Sequence, residues 1–221
     1  MKNVLLAVVG LSPQVITETL YALHHTQRPV NQIEVITTRD GKELILAQLL
    51  AGGRGHFYKY LKDYGIDPRT IDFGPHSIHT LCDEHGIEIP DIRDEEDNEI
   101  LLKKCLELGF NLTKDPETAV FFSVAGGRKT MSSCLTLAAQ LYGRAQDRIF
   151  HVLVSPEFER NRDFFYPPPR STLIELRDAH GHPVFKETKY AQINLIPIPF
   201  VSVRDKINPR LLDTVRDPGT L

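Results

Sequence analysis

The chain has no surplus of positive charge: 26 Lys and Arg stand against 29 Asp and Glu, giving a formal net charge of −3 and a pI near 6.3. That excludes a protein that coats long DNA or RNA, because such binding draws on many lysines and arginines neutralising phosphates. A compact anion stays within reach, since a pocket needs only a few cations and some backbone N–H groups. Cysteine is sparse and odd in number, with Cys82, Cys105 and Cys134 alone. Such a count sets no disulfide framework and points to a reducing cytoplasm. Long hydrophobic runs are missing too. The apolar stretch Val4–Val9 is too short to span a bilayer and no small-residue cleavage site follows it, so neither a membrane segment nor a signal peptide is expected. Repeats and low-complexity tracts are lacking. What is there, 221 residues that are 41% hydrophobic and 25% charged, suits one generous globular domain or one domain with a small appendage.

The order of patterns sets the fold class. Asn3 to Gly10 is a continuous Val/Leu run, the signature of a strand buried on both faces. Ser12-Pro13 then offers an N-cap and a proline at the first helical position, followed by Val15, Ile16, Thr19, Leu20 and Leu23 on one helical face. Gln32 to Thr38 reads as a second strand. A helical stretch from Lys42, carrying Leu46, Leu49 and Leu50, breaks at Gly52-Gly53-Arg54-Gly55, and another helical piece ends at Tyr64-Gly65. Ile71 to Leu81 reads as a strand, and Ile100, Leu101, Cys105 and Leu108 mark a helix. Thr118 to Ala125 is a buried strand, then comes a helix with Met131, Cys134, Leu135, Ala138 and Leu141 at helical spacing, and Arg148 to Val154 is the next strand. Strands alternating with helices predict an α/β domain, Rossmann-like and doubly wound on a mainly parallel sheet.

The pattern changes near residue 156. A core over 1–156 is expected to be followed by an extension of the same domain over 157–221: the stiff connector Phe164–Pro169, a β-hairpin from Thr172–Arg177 and Pro183–Lys186, and an edge strand within Gln192–Val203, where Pro197 and Pro199 disfavour a central place. The tail from about Asn208 reads as frayed.

In an open α/β sheet, ligands bind outside the carboxyl ends of the strands. Two strand ends stand out. Gly10-Leu11-Ser12-Pro13-Gln14 combines a turn glycine, a hydroxyl and a helix start with free N–H groups. Gly126-Gly127-Arg128-Lys129-Thr130-Met131 combines glycines that let backbone approach a ligand with adjacent cations and a hydroxyl at another helix start. Composition alone also allows a glycine turn with a solvated Arg-Lys pair. The loop is not a Walker A motif, because Arg128 stands between Gly127 and Lys129 and breaks the G-x-x-x-x-G-K-[ST] spacing.

These residues carry a resemblance. LLAVVGLSPQVITETLYAL (5–23), SVAGGRKTMSS (123–133), QDRIFHVLVSPEFE (146–159), the segment Asp91–Asn98 and Ile198–Val201 together resemble the CARF domains of type III CRISPR systems, in their ring-nuclease and sensor branch. The resemblance spans most of residues 3–203. It implies a Rossmann-like homodimer that binds a cyclic oligoadenylate across its two-fold axis; cyclic tetra-adenylate is the ring expected first, with cyclic hexa-adenylate left open because pocket width depends on dimer geometry. It also implies metal-independent cleavage by 2′-OH attack to linear di-adenylates with a 2′,3′-cyclic phosphate. By position, Lys129, Arg128 and Ser12 fall to the catalytic set. Gly10, Leu11, Gln14, Gly126, Gly127, Thr130 and Met131 fall to the ligand loops. From their place in the chain, Thr38, Arg39 and Gly41 close the second strand and are expected either on the pocket wall or in a simple turn, and Arg93, within the acidic run, is placed to reach across a bound ring. No cofactor, metal, DNA or membrane partner is expected, and the setting is cytoplasmic. The alternative reading is a CARF sensor that holds the ring uncut and controls a separate or truncated effector ribonuclease; a nucleotide-binding transcription regulator ranks below both, with no DNA-reading helix pair in view.

Two patterns mislead. Arg177 and His182 match the spacing of a HEPN ribonuclease motif, yet Gly181 and Pro183 make the segment a hairpin turn, and no HEPN domain is expected. His76, His79, Cys82 and His85 recur every third residue, which a strand would scatter over opposite faces. The acidic run Asp91–Glu99 reads as a helix start rather than a carboxylate site.

Overall fold

Val4 to Val9 lie in the middle of the sheet, each at most 2% exposed, and the arrangement of layers explains why. In the computed structural model, which describes residues 1–178 and 180–206, strand β1 (Lys2–Val9) pairs in parallel with β2 (Gln32–Thr37) on one side and β4 (Thr118–Ser123) on the other, Ala7 standing opposite both Val35 and Ser123. Beyond β2 lies β3 (Ile78–Thr80); beyond β4 lie β5 (Arg148–Val154) and the antiparallel edge strand β8 (Ile193–Ile198), for the order β3-β2-β1-β4-β5-β8. Leu5, Ala7 and Val9 face a core shared with helices α1 (Gln14–His25) and α3 (His56–Asp63). Leu6 and Val8 face the opposite core, under α4 (Glu95–Leu112) and α5 (Lys129–Tyr142). A strand covered on both faces needs apolar residues at every position, which is what this run supplies.

The sheet is the doubly wound, mainly parallel α/β architecture expected. The hairpin and the edge strand expected after residue 156 are both present. Past the short α6 (Pro156–Glu159), β6 (Leu173–Arg177) and β7 (Pro183–Glu187) form a separate antiparallel pair, packed through Leu176 on Val154, Phe158 and Phe164. The proline-bearing strand β8 takes the sheet edge, where a missing N–H costs no ladder bond. The tail from Asn208 lies outside the described residues. Among the described residues no helix is long and apolar enough to cross a membrane.

Three local expectations need correction. Ile71–Leu81 is a strand only over Ile78–Thr80; Pro68 and Pro75 each open a tight helical turn, and Asp67 caps the first by accepting from the Arg69 N–H at 3.0 Å. The helical stretch expected from Lys42 begins earlier, as α2 (Arg39–Leu44), widens into a π-helical turn over Ile45–Leu50, and ends where Gly52 and Gly53 take φ of 51° and 70°. Helix α1 starts at Gln14, so Pro13 stands at the N-cap position and Ser12 one residue outside it, making no side-chain cap.

Candidate anion site at the switch point

β1 and β4 are neighbours whose connections leave to opposite sides of the sheet, so their carboxyl ends form the topological switch point. Glycine holds the loops there together. A β-carbon on Gly10 would stand 2.8 Å from the Gly127 Cα, one on Gly126 would meet the Val8 carbonyl oxygen at 2.3 Å, and one on Gly41 would meet the Gly10 carbonyl oxygen at 2.9 Å. The loops after β1, β2 and β4 thus pack backbone against backbone, which no larger residue permits. Gly127 adds a φ of 76°, the left-handed region that favours glycine.

Beside this floor opens a cavity of about 570 Å³, large enough for a nucleotide. One wall is Gly127, Arg128, Lys129 and Thr130 at the start of α5; the other is Ile92, Arg93, Asp94 and Asn98, where the chain enters α4. The acidic run is the helix start expected, with the Asp94 carboxylate capping α4 by accepting from the Asp97 N–H at 3.0 Å. Arg128 makes a two-pronged ion pair with Asp91, its Nε donating to Oδ1 at 2.9 Å and its Nη2 donating to Oδ2. The hydrogen bond from Arg128 holds the Asp91 carboxyl below the usual carboxylate range, and Asp91 in turn raises Arg128. Arg93 lies 3.6 Å from Asp97. Lys129 is exposed and makes no ion pair among the described residues. The site therefore presents one unpaired ammonium and two guanidinium groups already facing carboxylates.

The structure gathers Gly126, Gly127, Arg128, Lys129, Thr130, Arg93 and, through backbone contact, Gly10. Other members of the expected set lie differently. Leu11 is 63% exposed, and neither it nor Ser12 lines the cavity. Gln14 donates from Nε2 to the Arg162 carbonyl at 2.9 Å, while its buried Oε1 has no partner. Thr38 is 3% exposed and caps α2 by accepting from the Gly41 N–H at 3.4 Å, so its hydroxyl serves the helix rather than an open wall. Arg39 pairs with Asp40 at 3.2 Å. Met131 is 1% exposed and packs beneath Gly127, as its place on the apolar stripe of α5 requires. Asn98 on the cavity wall and the engagement of Arg128 by Asp91 escaped the motif reading; the D-x-x-D spacing of Asp94 and Asp97 was the signal for where α4 begins, and hence for which side chains face the loop.

The misleading patterns resolve locally. His76, His79 and His85 pair separately with Asp72, Glu34 and Glu84 at 2.9, 2.6 and 3.5 Å. No cluster of three or more His, Cys, Asp or Glu suited to a metal occurs among the described residues. Arg177 donates from Nη1 to the Gly181 carbonyl at 3.0 Å within the hairpin turn, with Gly181 at a φ of 83°.

A Rossmann-like sheet with a glycine floor and a cationic helix start at its switch point defines the fold class, an α/β protein with the geometry at which such sheets hold anionic ligands. The family is more particular: the model of CRISPR-associated protein NE0113 matches residues 12–220, and the chain belongs to that family. The CRISPR association read from the sequence is borne out at the level of family and fold. Among solved structures, the chain is similar to Enterococcus italicus Csm6 bound to cyclic hexa-2′-fluoro-hexa-dAMP, at 17% identity over 71% of this chain and 34% of that one, TM-score 0.43. It is also similar to a type III CRISPR defence DNA nuclease activated by cyclic oligoadenylate (13% identity, 83% and 21% coverage, TM-score 0.37) and to a UDP-N-acetylglucosamine 2-epimerase (18%, 68% and 32%, TM-score 0.33). The chain spans about a third of the length of the first and about a fifth of the second. No curated protein matches it.

Proposed function

We propose that this chain binds a cyclic oligoadenylate, cyclic tetra-adenylate by preference, at the β1/β4 switch point of a two-fold homodimer, and cleaves it without a metal. The observation that carries the reading is the juxtaposition of the glycine floor with the unpaired Lys129 at the mouth of a nucleotide-sized cavity. Two-fold pairing would double this cationic set, which reconciles a net charge of −3 with a cyclic polyanion. In the reaction, a ribose 2′-oxygen attacks the adjacent phosphorus, its proton passing to water. The bond to the 5′-oxygen breaks, that oxygen takes up a proton, and a 2′,3′-cyclic phosphate remains. The protein's work is in-line positioning and stabilisation of charge on the phosphorane oxygens. The Lys129 ammonium supplies that charge, and Arg128 joins it once a phosphate displaces Asp91. Ser12 orients a phosphate or ribose from the rim. In this reading the core over 1–156 and the extension over 157–221 act as one domain, linked by the return of β8 to the sheet edge. The setting is the cytoplasm, in accord with three free cysteines.

A second reading, a sensor that holds the ring uncut, is favoured by the pairing of Arg128 with Asp91, which leaves Lys129 as the sole unpaired cation of the described cavity wall. Incubating the purified protein with cyclic tetra- and hexa-adenylate in EDTA, with products resolved by mass spectrometry, separates the two. Linear di-adenylates with cyclic phosphate ends are expected. Tight binding with an intact ring supports the sensor; neither binding nor cleavage sinks both readings.

A further inference from the structure

The sequence around the start of α4 is almost wholly acidic, Asp94-Glu95-Glu96-Asp97-Asn98-Glu99, and the exception is informative. A helix N-terminus favours carboxylates, so nothing in the helix itself calls for a neutral amide at 98. Asn98 is the member of this run that reaches the cavity wall together with Asp94, whose carboxylate is engaged as the helix cap. An acid at 98 would repel an anionic ligand; an amide would not.

The hydrogen-bonding state of the wall narrows its role. Arg128 is held by Asp91, Arg93 faces Asp97 and Asp94 caps α4. The Asn98 Oδ1 receives only the weak Cys134 thiol at 4.0 Å, and its Nδ2 makes no hydrogen bond among the described residues. An amide with two donors and a remaining acceptor lone pair matches one nucleobase edge well, since Asn pairs with adenine by donating to N7 and accepting from the N6 amine. On the same wall the largely buried Ile92, 6% exposed, offers apolar contact to a base, and Lys129 opposite offers charge to a phosphate. The cavity thus carries the three contacts that a single nucleotide needs.

Resting on the reading that the ligand is an oligoadenylate ring, we propose that Asn98 is a specificity-determining residue that reads the N6/N7 edge of one adenine in each protomer. The ring's phosphates give affinity through Lys129, and Asn98 gives the preference for adenine.

The test compares cyclic tetra-adenylate with cyclic tetra-inosinate, in which each exocyclic amine donor becomes a carbonyl acceptor, by titration calorimetry on the whole chain. Wild type is expected to prefer the adenylate ring by about tenfold or more, the worth of one bidentate base contact. Asn98→Ala is expected to bind the two rings within about twofold of each other, by loss of that contact. Lys129→Ala is expected to weaken both rings equally and keep the preference. Asn98→Ser, with thermal melting as the folding check, is expected to behave as Asn98→Ala. An Asn98→Ala protein that keeps the wild-type preference, or a wild type that shows none, overturns base reading while leaving oligoadenylate binding intact. A wild type that binds neither ring overturns the ligand assignment itself, and this proposal with it.

Discussion

The loops after β1 and β4 look alike in sequence, each a buried strand running through glycine into a helix start, but they do different work. The helix start after β4 is open. Arg128, Lys129 and Thr130 stand exposed on the wall of the cavity. The helix start after β1 is covered by the connector that follows β5: the Thr17 hydroxyl donates to the Phe165 carbonyl at 2.8 Å and the Gln14 amide to that of Arg162 at 2.9 Å. The first loop contributes its backbone, through Gly10 against Gly127, and the second contributes the side chains. A glycine followed by a helix start marks a place where a ligand can approach; whether it does depends on what the rest of the chain lays over it.

The cover over α1 contains the largest effect we predict. Glu18, one turn beyond Gln14, is 8% exposed, and burial, reinforced by the nearby Glu159 charge, pushes its pKa up to about 8. A folded pKa above the unfolded value means that the fold favours the neutral carboxyl. Its contribution is full below about pH 4.5 and is lost as pH rises through 8. At about 1.36 kcal/mol per unit, the ceiling on that loss is on the order of 4–5 kcal/mol. Glu18→Gln should therefore melt well above wild type at pH 9 and close to it at pH 5. A wild-type melting temperature that does not fall between these values would mean that α1 is not closed as described. Next in size is the seam between the loops. Gly126→Ala places a β-carbon against the Val8 carbonyl, backbone that cannot swing aside, and should cost about 2–3 kcal/mol in denaturant titration. Gly10→Ala, with its looser 2.8 Å approach, should cost less. The reverse order would break the account of the floor.

Much of this is legible in the sequence. The run Val4–Val9 could be nothing but a doubly covered strand, and Gly126–Thr130 announced an exposed cationic turn. Pro197 and Pro199 put β8 at an edge. What was not legible was long-range. That Gln14 and Thr17 bond to residues 148 positions away follows from where the connector crosses α1, which no local pattern encodes. Thr38 and Met131 sit beside ligand-type residues in sequence, yet helix geometry turns one into a cap and the other into core. The residues Ile71–Phe73 carry strand-like composition, but Pro75 interrupts the ladder before pairing with β2 resumes at Ile78.

The division of labour between the loops predicts unequal losses in ligand binding. Lys129→Ala removes a charged hydrogen bond worth about 1.5–3 kcal/mol and should weaken cyclic tetra-adenylate roughly tenfold to a hundredfold. It should slow cleavage at least as much, and a variant that cuts as fast as wild type would remove Lys129 from the mechanism. Ser12→Ala, on a rim outside the cavity, should cost about two- to fivefold, the range of a neutral hydrogen bond. Equal losses from the two substitutions, measured by calorimetry at one salt concentration, would mean that the first loop reaches the ligand as fully as the second.

An effect as small as that of Ser12→Ala has the opposite sign. Asp91 holds Arg128 with the two-pronged geometry that a phosphate would use, so a ligand must compete with a resident carboxylate. Because Arg128 keeps the Asp91 carboxyl below the usual range, the clamp stays charged through neutral pH, and acidification to pH 5 should not release it. Substitution should. Asp91→Asn keeps an oxygen to accept the Ile92 N–H, now at 2.8 Å, and so preserves the chain's path into α4 while removing the charge that holds the guanidinium. Both partners are substantially exposed, so little stability is at stake and the melting temperature should hardly move. Affinity for cyclic tetra-adenylate should rise by about two- to fivefold, as expected for one freed charged contact partly screened by solvent. The gain should vanish in the double variant Asp91→Asn with Arg128→Ala, since the substitution acts only through the arginine. If Asp91→Asn weakens binding instead, Asp91 positions Arg128 for the ligand rather than competing with it, and the open helix start after β4 is as dependent on an outside partner as the covered one after β1.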